Sequence, residues 1–253
     1  VGCAVIVDGL QIELAGASYN GIYLSDTTTS NPETILFENL ILRATVTINY
    51  AMIGGSSSQG HADRSFTLRN SVVYGASGNG GDTSTGTHVY AGLGNFTLHN
   101  VTIYGTGTGG NGVMNRHAYT TAINVIARGN ASGYAFHQHT TGSGEYNAAT
   151  DYNSGEDASA TDINSTKTSG SPWNSSADAD SDYFLDASSS DFRIGAGDLQ
   201  LDVGYDLSGT FDYDAIGTSR PQNSVFDLGW LELIVAADAD PTEMQGSGSF
   251  TFN

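Results

Sequence analysis

The sequence predicts an all-β protein built from short strands that recur at a nearly constant step. Three observations carry that expectation. The composition holds 33 glycines and only 4 prolines, with a modest hydrophobic share of 38%. Such a mixture suits many short strands joined by turns rather than helices. The stretch FTLRNSVVYG (Phe66–Gly75) returns as FTLHNVTIYG (Phe96–Gly105), with six of ten letters identical. Within each copy, apolar residues alternate with polar ones, the period of a strand with one buried face.

Weaker copies flank that pair. Aligning on the shared Asn gives IVDGLQI around Asp8, FENLILR around Asn39, LRNSVVY around Asn70, LHNVTIY around Asn100 and AINVIAR around Asn124. The step from anchor to anchor is nearly even and shortens only at the last. Two positions before each anchor stands Ile6, Phe37, Leu68, Leu98 or Ala122, and two after it Leu10, Ile41, Val72, Thr102 or Ile126. Period-2 alternation on both sides of the anchor predicts that both columns point inward. Between anchors lies a second apolar scrap: GIYL (Gly21–Leu24), YAMIG (Tyr50–Gly54), HVYAG (His88–Gly92), GVMN (Gly112–Asn115) and YAF (Tyr134–Phe136). Each repeat therefore carries at least two strands separated by Gly-, Ser- and Thr-rich bends. The economical arrangement is a right-handed parallel β-helix whose coils stack at about 4.8 Å. Neighbouring coils then bury what one coil cannot bury alone. The anchors Asp8, Asn39, Asn70, Asn100 and Asn124 read as a structural ladder, because Asn tolerates a left-handed bend and stacked amides hydrogen-bond to one another.

On these coils and on the C-terminal part, the chain resembles the pectin-lyase-like superfamily of right-handed parallel β-helices. DYFLDASSSDFRIGAGDLQLDVGYDLSG (Asp182–Gly209) followed by TSRPQNSVFDLGWLEL (Thr218–Leu233) is similar to the closing segment "DF-L-x-x-GSPAIDAG … RP … DIGAYE" of secreted and phage-associated β-helix proteins. Asp191, Phe192, Leu201, Asp202, Gly204, Arg220, Pro221, Asp227, Gly229 and Glu232 carry the likeness. GDLQLDVG and GWLEL depart from the pattern. The resemblance implies a β-helix displayed on a virion or secreted from a bacterium, and it names no single reaction. The expected organisation is β-helix coils over residues 1–141, an irregular polar arm over 142–190, C-terminal closing strands over 191–236, and a linker or following β element over 237–253. The sequence opens as strand already under way and ends as strand just beginning, so a longer or processed parent chain is expected.

Within the polar arm, Asp178, Asp180 and Asp182 alternate and offer oxygens to one Ca²⁺, although no EF-hand spacing accompanies them. A solvated acidic turn is the competing reading. The formal charge of -19, with Lys167 the sole lysine, argues against nucleic-acid binding, which needs clustered cations. Cys3 is the lone cysteine, so no internal disulfide forms. No apolar run is long enough to span a membrane.

Chemistry on a solenoid face needs particular residues. The repeat region has neither the paired aspartates of a polygalacturonase nor the arginine group of a pectate lyase. The catalytic candidates left are Arg116, His117, His137 and His139, with Asp63, Arg64 and Glu145 as company. Arg116–His117 and His137–His139 stand on what read as successive second strands, which would make them neighbours, and His-x-His also suits a metal. Surface histidines on a polar face explain the same letters. The leading expectation is a non-catalytic surface β-helix protein: a phage decoration, fibre or tail-appendage component, or a secreted adhesin. A polysaccharide depolymerase, either lyase or glycoside hydrolase, and a carbohydrate-binding module are the alternatives. The expected partners are other virion or cell-surface proteins, with host glycans and a homotrimer as further options, at an extracellular or virion-surface location.

Overall fold

In a computed structural model, the chain is nearly all β, in two parallel sheets. The structure describes residues 3–16, 20–24, 33–48, 51–55, 64–77, 88–91, 95–107, 112–115, 119–128, 136–138, 142–145, 148–149, 184–196, 198, 200–202, 204–222 and 225–234. The first repeat contributes β1 (Cys3–Asp8), β2 (Gln11–Leu14) and β3 (Ile22–Leu24). The second contributes β4 (Glu33–Glu38), β5 (Ile41–Ile48) and β6 (Ile53–Gly55). The third holds β7 (Arg64–Ser77) and β8 (Val89–Ala91), and the fourth β9 (Asn95–Gly105) and β10 (Val113–Asn115). The fifth holds β11 (Tyr119–Ile123), β12 (Ile126–Arg128) and β13 (Phe136–Gln138). β14 (Gly142–Glu145) and β15 (Ala148–Ala149) follow.

Each anchor strand pairs in parallel with its counterpart one repeat away, in the order β1-β4-β7-β9-β11-β14, while the second strands run β13-β10-β8-β6-β3. The repeated sentence pairs with itself in register: Phe66 beside Phe96, Leu68 beside Leu98 and Tyr74 beside Tyr104. Because β14 pairs with β11 and β15 with β12, the sheet continues past residue 141, where the apolar rhythm of the sequence stops.

The bend asparagines set the geometry. Asn39, Asn70, Asn100 and Asn124 all have positive φ, between 47° and 58°. A single left-handed residue breaks strand parity, so the inward faces before and after it are out of step. Before the bend, Phe37, Leu68, Leu98 and Ala122 (position −2) enter the core. After it, Leu40, Leu42, Val73, Val101, Ile103, Val125 and Ala127 (positions +1 and +3) enter the same core. The column at +2, expected inward, instead faces outward: Ile41, Val72 and Ile126 belong to a second apolar cluster. The main core lies between the two sheets, with Ile53, Val89 and Val113 contributing from the second one and Met52 from just before β6.

The register also moves the first anchor by one residue. Asp8 pairs with Glu38, which puts Gly9 opposite Asn39, and Gly9 has the column's positive φ of 70°. Gly9 N–H donates to the Glu38 carbonyl as Asn39 N–H does to that of Arg69. A slip of one residue exchanges the faces of a strand. Ile6, expected inward, is accordingly 67% exposed, while Val7 packs against the core. Asp8 remains tied to the column, since its carboxylate accepts a hydrogen bond from Asn39 Nδ2 at 2.7 Å.

Candidate functional site

The outward stripe of Ile41, Val72, Tyr74, Tyr104 and Ile126 is too apolar to face water, and the C-terminal segment covers it. Phe184 and Phe192 pack on it: Phe192 stands 5.1 Å from both the Tyr74 and Tyr104 rings, and Tyr104 meets Phe184 edge-on at 6.0 Å. Leu228, Trp230 and Leu231 complete the cluster, and Trp230 Nε1–H donates to the Phe192 carbonyl at 3.2 Å.

The bend column is the other half of this seam. Asn70 Nδ2 donates to the Tyr213 carbonyl (2.6 Å), Asn100 Nδ2 to that of Asp227 (3.1 Å) and Asn124 Nδ2 to that of Tyr205 (2.9 Å). Tyr205 N–H returns a bond to Asn124 Oδ1 at 2.6 Å. Asn124 also donates to Asn100 Oδ1 at 3.2 Å, the one amide-to-amide rung among the described residues. The glycines of the closing motif lie where the seam is tightest. A Cβ on Gly204 would stand 2.6 Å from the Phe226 carbonyl oxygen and 3.0 Å from Asn124 Oδ1. One on Gly229, whose φ is +80°, would stand 2.7 Å from Thr102 Oγ1.

Inside this segment sits the most perturbed group of titratable side chains. Arg220 is fully buried and stands 3.7 Å from Glu232, whose side chain is 1% exposed. Glu232 Oε1 accepts from Gln222 N–H and Oε2 from Asp227 N–H. Asp227 Oδ1 accepts from Asp202 N–H and Oδ2 from Leu233 N–H, both at 2.7 Å. Asp214 accepts from Ile216, Thr218 and Glu232 N–H groups. Arg220 donates to the Asp227 and Gly229 carbonyls. Burial, reinforced by the Asp227 charge, pushes the Glu232 carboxyl up to about 7, and burial also raises Asp227. A raised carboxyl is often the mark of a general acid. Here each oxygen is capped by a backbone N–H and closed off from solvent, so the cluster fastens the segment rather than offering a proton to a bound molecule.

His99, one residue before the Asn100 bend, is the other displaced group. Burial, helped by the neighbouring Arg69 guanidinium, lowers it to about 4. Its ring lies 6.5 Å from Phe211 of the covering segment, and Arg69 stacks over Phe211 at 5.3 Å.

Of the four catalytic candidates, His137 alone lies among the described residues. His137 lies in β13 and pairs with Met114 of β10. Arg64 starts β7 opposite Glu33, and Glu145 ends β14 opposite Ile123, so the two belong to different repeats. Arg116, His117, His139 and Asp63 lie outside the described residues, as do Asp178, Asp180 and Asp182. Among the described residues no three His, Cys, Asp or Glu side chains converge so as to hold a metal ion, and no helix is long and apolar enough to cross a membrane.

The buried charge cluster escaped the sequence reading, although Arg220, Asp227 and Glu232 all stood in the resembling motif. Asp214 gave no signal. The spacing of these residues says nothing of burial, which comes from the sheet beneath them. The chain matches no protein family model, no curated protein and no solved structure.

Proposed function

We propose that the chain forms a right-handed parallel β-helix of the pectin-lyase-like kind and acts, without catalysis, as a rigid surface-displayed module. Its place is a phage particle, as a decoration, fibre or tail-appendage component, or the outside of a bacterium, as a secreted adhesin. The observation that supports this reading is the fate of the motif's charged residues: Arg220, Asp227 and Glu232 are buried and their bonds go to the closing segment's own backbone. Cleaving a glycan needs an acid and a base open to the polymer. The phage or secreted setting rests on the likeness of the closing segment alone.

The test is an assay of released reducing ends and unsaturated uronates from capsular and uronic-acid polymers, run beside sedimentation with phage particles and bacterial cells. Association with particles or cells and no released ends is the expected result. Sustained release, abolished by His137→Ala or His117→Ala, would replace this reading with the depolymerase. Binding on a glycan array without cleavage would make the chain a carbohydrate-binding module.

A further inference from the structure

The covering segment carries one loop that rests on His99. Its two ends are clamped by the bend column: Asn124 holds Tyr205 through both backbone groups, and Asn70 Nδ2 donates to the Tyr213 carbonyl. Between these clamps the chain turns tightly. Thr210 and Phe211 N–H groups donate to the Leu207 carbonyl at 2.7 and 3.2 Å, and the Asp206 carboxylate accepts from Ser208 N–H. Residues 206–212 are thus braced within themselves and hinged at either end. Side chains hold this turn to the sheet. Phe211 and Leu207 cluster with Phe226 and with Ile123, the Phe211 and Phe226 rings meeting edge-on at 5.8 Å. Arg69 adds its guanidinium over the Phe211 ring and one exposed bond, from Nη1 to the Thr210 carbonyl at 3.3 Å.

His99 lies beneath the same turn, in register with Arg69 on one side and Ile123 on the other. Its Nδ1 is buried and has no hydrogen-bond partner. A neutral imidazole tolerates that, because one of its nitrogens carries no proton, whereas an imidazolium donates from both. Under the closed turn the cation would hold a buried N–H without an acceptor, one strand from a second cation, and both features disfavour it. Glu38 binds Arg69 from the strand on the far side. The turn's own carboxylates, Asp206 and Asp212, are exposed, and Arg69 is the charged side chain that acts on the ring.

We propose that residues 206–212 form an acid-released latch: protonation of His99 lifts the Phe211 turn from the sheet about its Tyr205 and Tyr213 hinges and uncovers Phe226. Lifting lets water reach Nδ1 and accept its proton. The surface laid bare is apolar, since Phe226 is 0% exposed in the closed arrangement. His99 is lowered from 6.5 to about 4, so the closed turn is favoured above 6.5 and loses that advantage as pH falls towards 4. The rest of the cover responds in the opposite sense. Glu232, raised to about 7, takes up its proton as the solution is acidified, which removes a buried charge beside Asp227 and steadies the Arg220 cluster. Acid therefore releases the turn and leaves the remainder of the segment seated.

Limited proteolysis of the whole chain with papain, at steps from pH 6.5 to 4 and with cut sites mapped by mass, tests the latch. Each rate is divided by that for a free peptide of residues 205–213 at the same pH, which removes the protease's own response to acid. Cutting within 206–212 follows the open population when opening is fast relative to cleavage. The expected result is a rise of at least about tenfold in that normalised rate between the two ends of the range. Cutting within 214–232 and within β7 and β9 should not rise with it. His99→Phe keeps a ring of similar size that cannot titrate, and its profile should be flat. Should that variant misfold, the unaltered chain still decides: its cleavage profile should level off at the pH where NMR shows His99 itself to titrate. A flat profile in the unaltered chain, an unchanged acid rise in folded His99→Phe, a plateau away from the His99 midpoint, or an equal rise throughout 204–234 would each overturn the proposal.

Discussion

Asn124 and Tyr205 exchange two hydrogen bonds, Nδ2 to the Tyr205 carbonyl at 2.9 Å and Tyr205 N–H to Oδ1 at 2.6 Å. A side-chain amide held on a left-handed bend thus stands in for one residue of a strand and receives the covering segment as a strand would. Asn124→Ala removes both bonds and the buried one to Asn100 Oδ1, and leaves partly buried backbone groups of Tyr205 without these partners, at a cost of about 3 kcal/mol. Asn39→Ala loses one exposed bond to Asp8 and should cost about 1 kcal/mol. Both substitutions leave Ala on a positive φ, so the strain cancels in the comparison. Urea denaturation of the two variants measures the difference.

Gly229→Ala puts a methyl 2.7 Å from Thr102 Oγ1 and 3.1 Å from Ile126 Cδ1, on a residue with φ of +80°. The expected loss is about 2–3 kcal/mol, because the covering segment must lift away from the sheet. Gly209 is the control: a Cβ there meets nothing within 4 Å, and Gly209→Ala should change stability by less than about 0.5 kcal/mol. Thermal unfolding of the pair reads the contrast.

Arg220→Ala leaves Glu232, Asp227 and Asp214 together in a buried site with no cation among them. Breaking such a group from one side costs about 3–5 kcal/mol. Limited proteolysis should then cut within the segment spanning residues 204–234 while the sheet strands β7 and β9 resist. Simultaneous loss of both would show that segment and sheet unfold as one unit.

Two displaced groups act in opposite directions on pH. The Glu232 carboxyl, raised to about 7, lets the folded chain hold a proton that the unfolded chain has lost above its ordinary 4.5, so its contribution falls as pH rises from 4.5 to 7. His99, lowered to about 4, is neutral when folded while the unfolded chain binds a proton below 6.5, so its contribution grows as pH rises from 4 to 6.5. The windows overlap, and the native chain should show a shallow stability profile between pH 4.5 and 6.5. His99→Phe should expose a decline with rising pH, and Glu232→Gln a rise. Denaturation midpoints at several pH values for the three proteins check the slopes; parallel profiles for all three would reject the assignment.

Much of the sheet was legible in the sequence because strand alternation and the recurring Asn are local signals. Phe66, Leu68, Phe96 and Leu98 follow from the period of two, and the second apolar scraps became the strands of the smaller sheet. The faces after the bend were not legible. A positive φ at one residue inverts all that follows, and the letters N-S-V-V do not say whether Val72 or Val73 turns inward. The first anchor slipped for a related reason: Asp8 resembles Asn in the alignment, but Gly9 is the residue that adopts the bend.

By itself, then, the sequence determined the all-β class, the step between repeats and the four asparagine bends, all set by short-range periodicity and backbone preference. Only the tertiary structure decided which apolar column lies between the sheets and which lies under Phe192 and Trp230. It also decided that Arg220, Asp214, Asp227 and Glu232 are buried together. Those outcomes depend on residues as distant along the chain as Asn100 and Asp227 coming to one seam. Burial is a property of what lies on the other side of that seam.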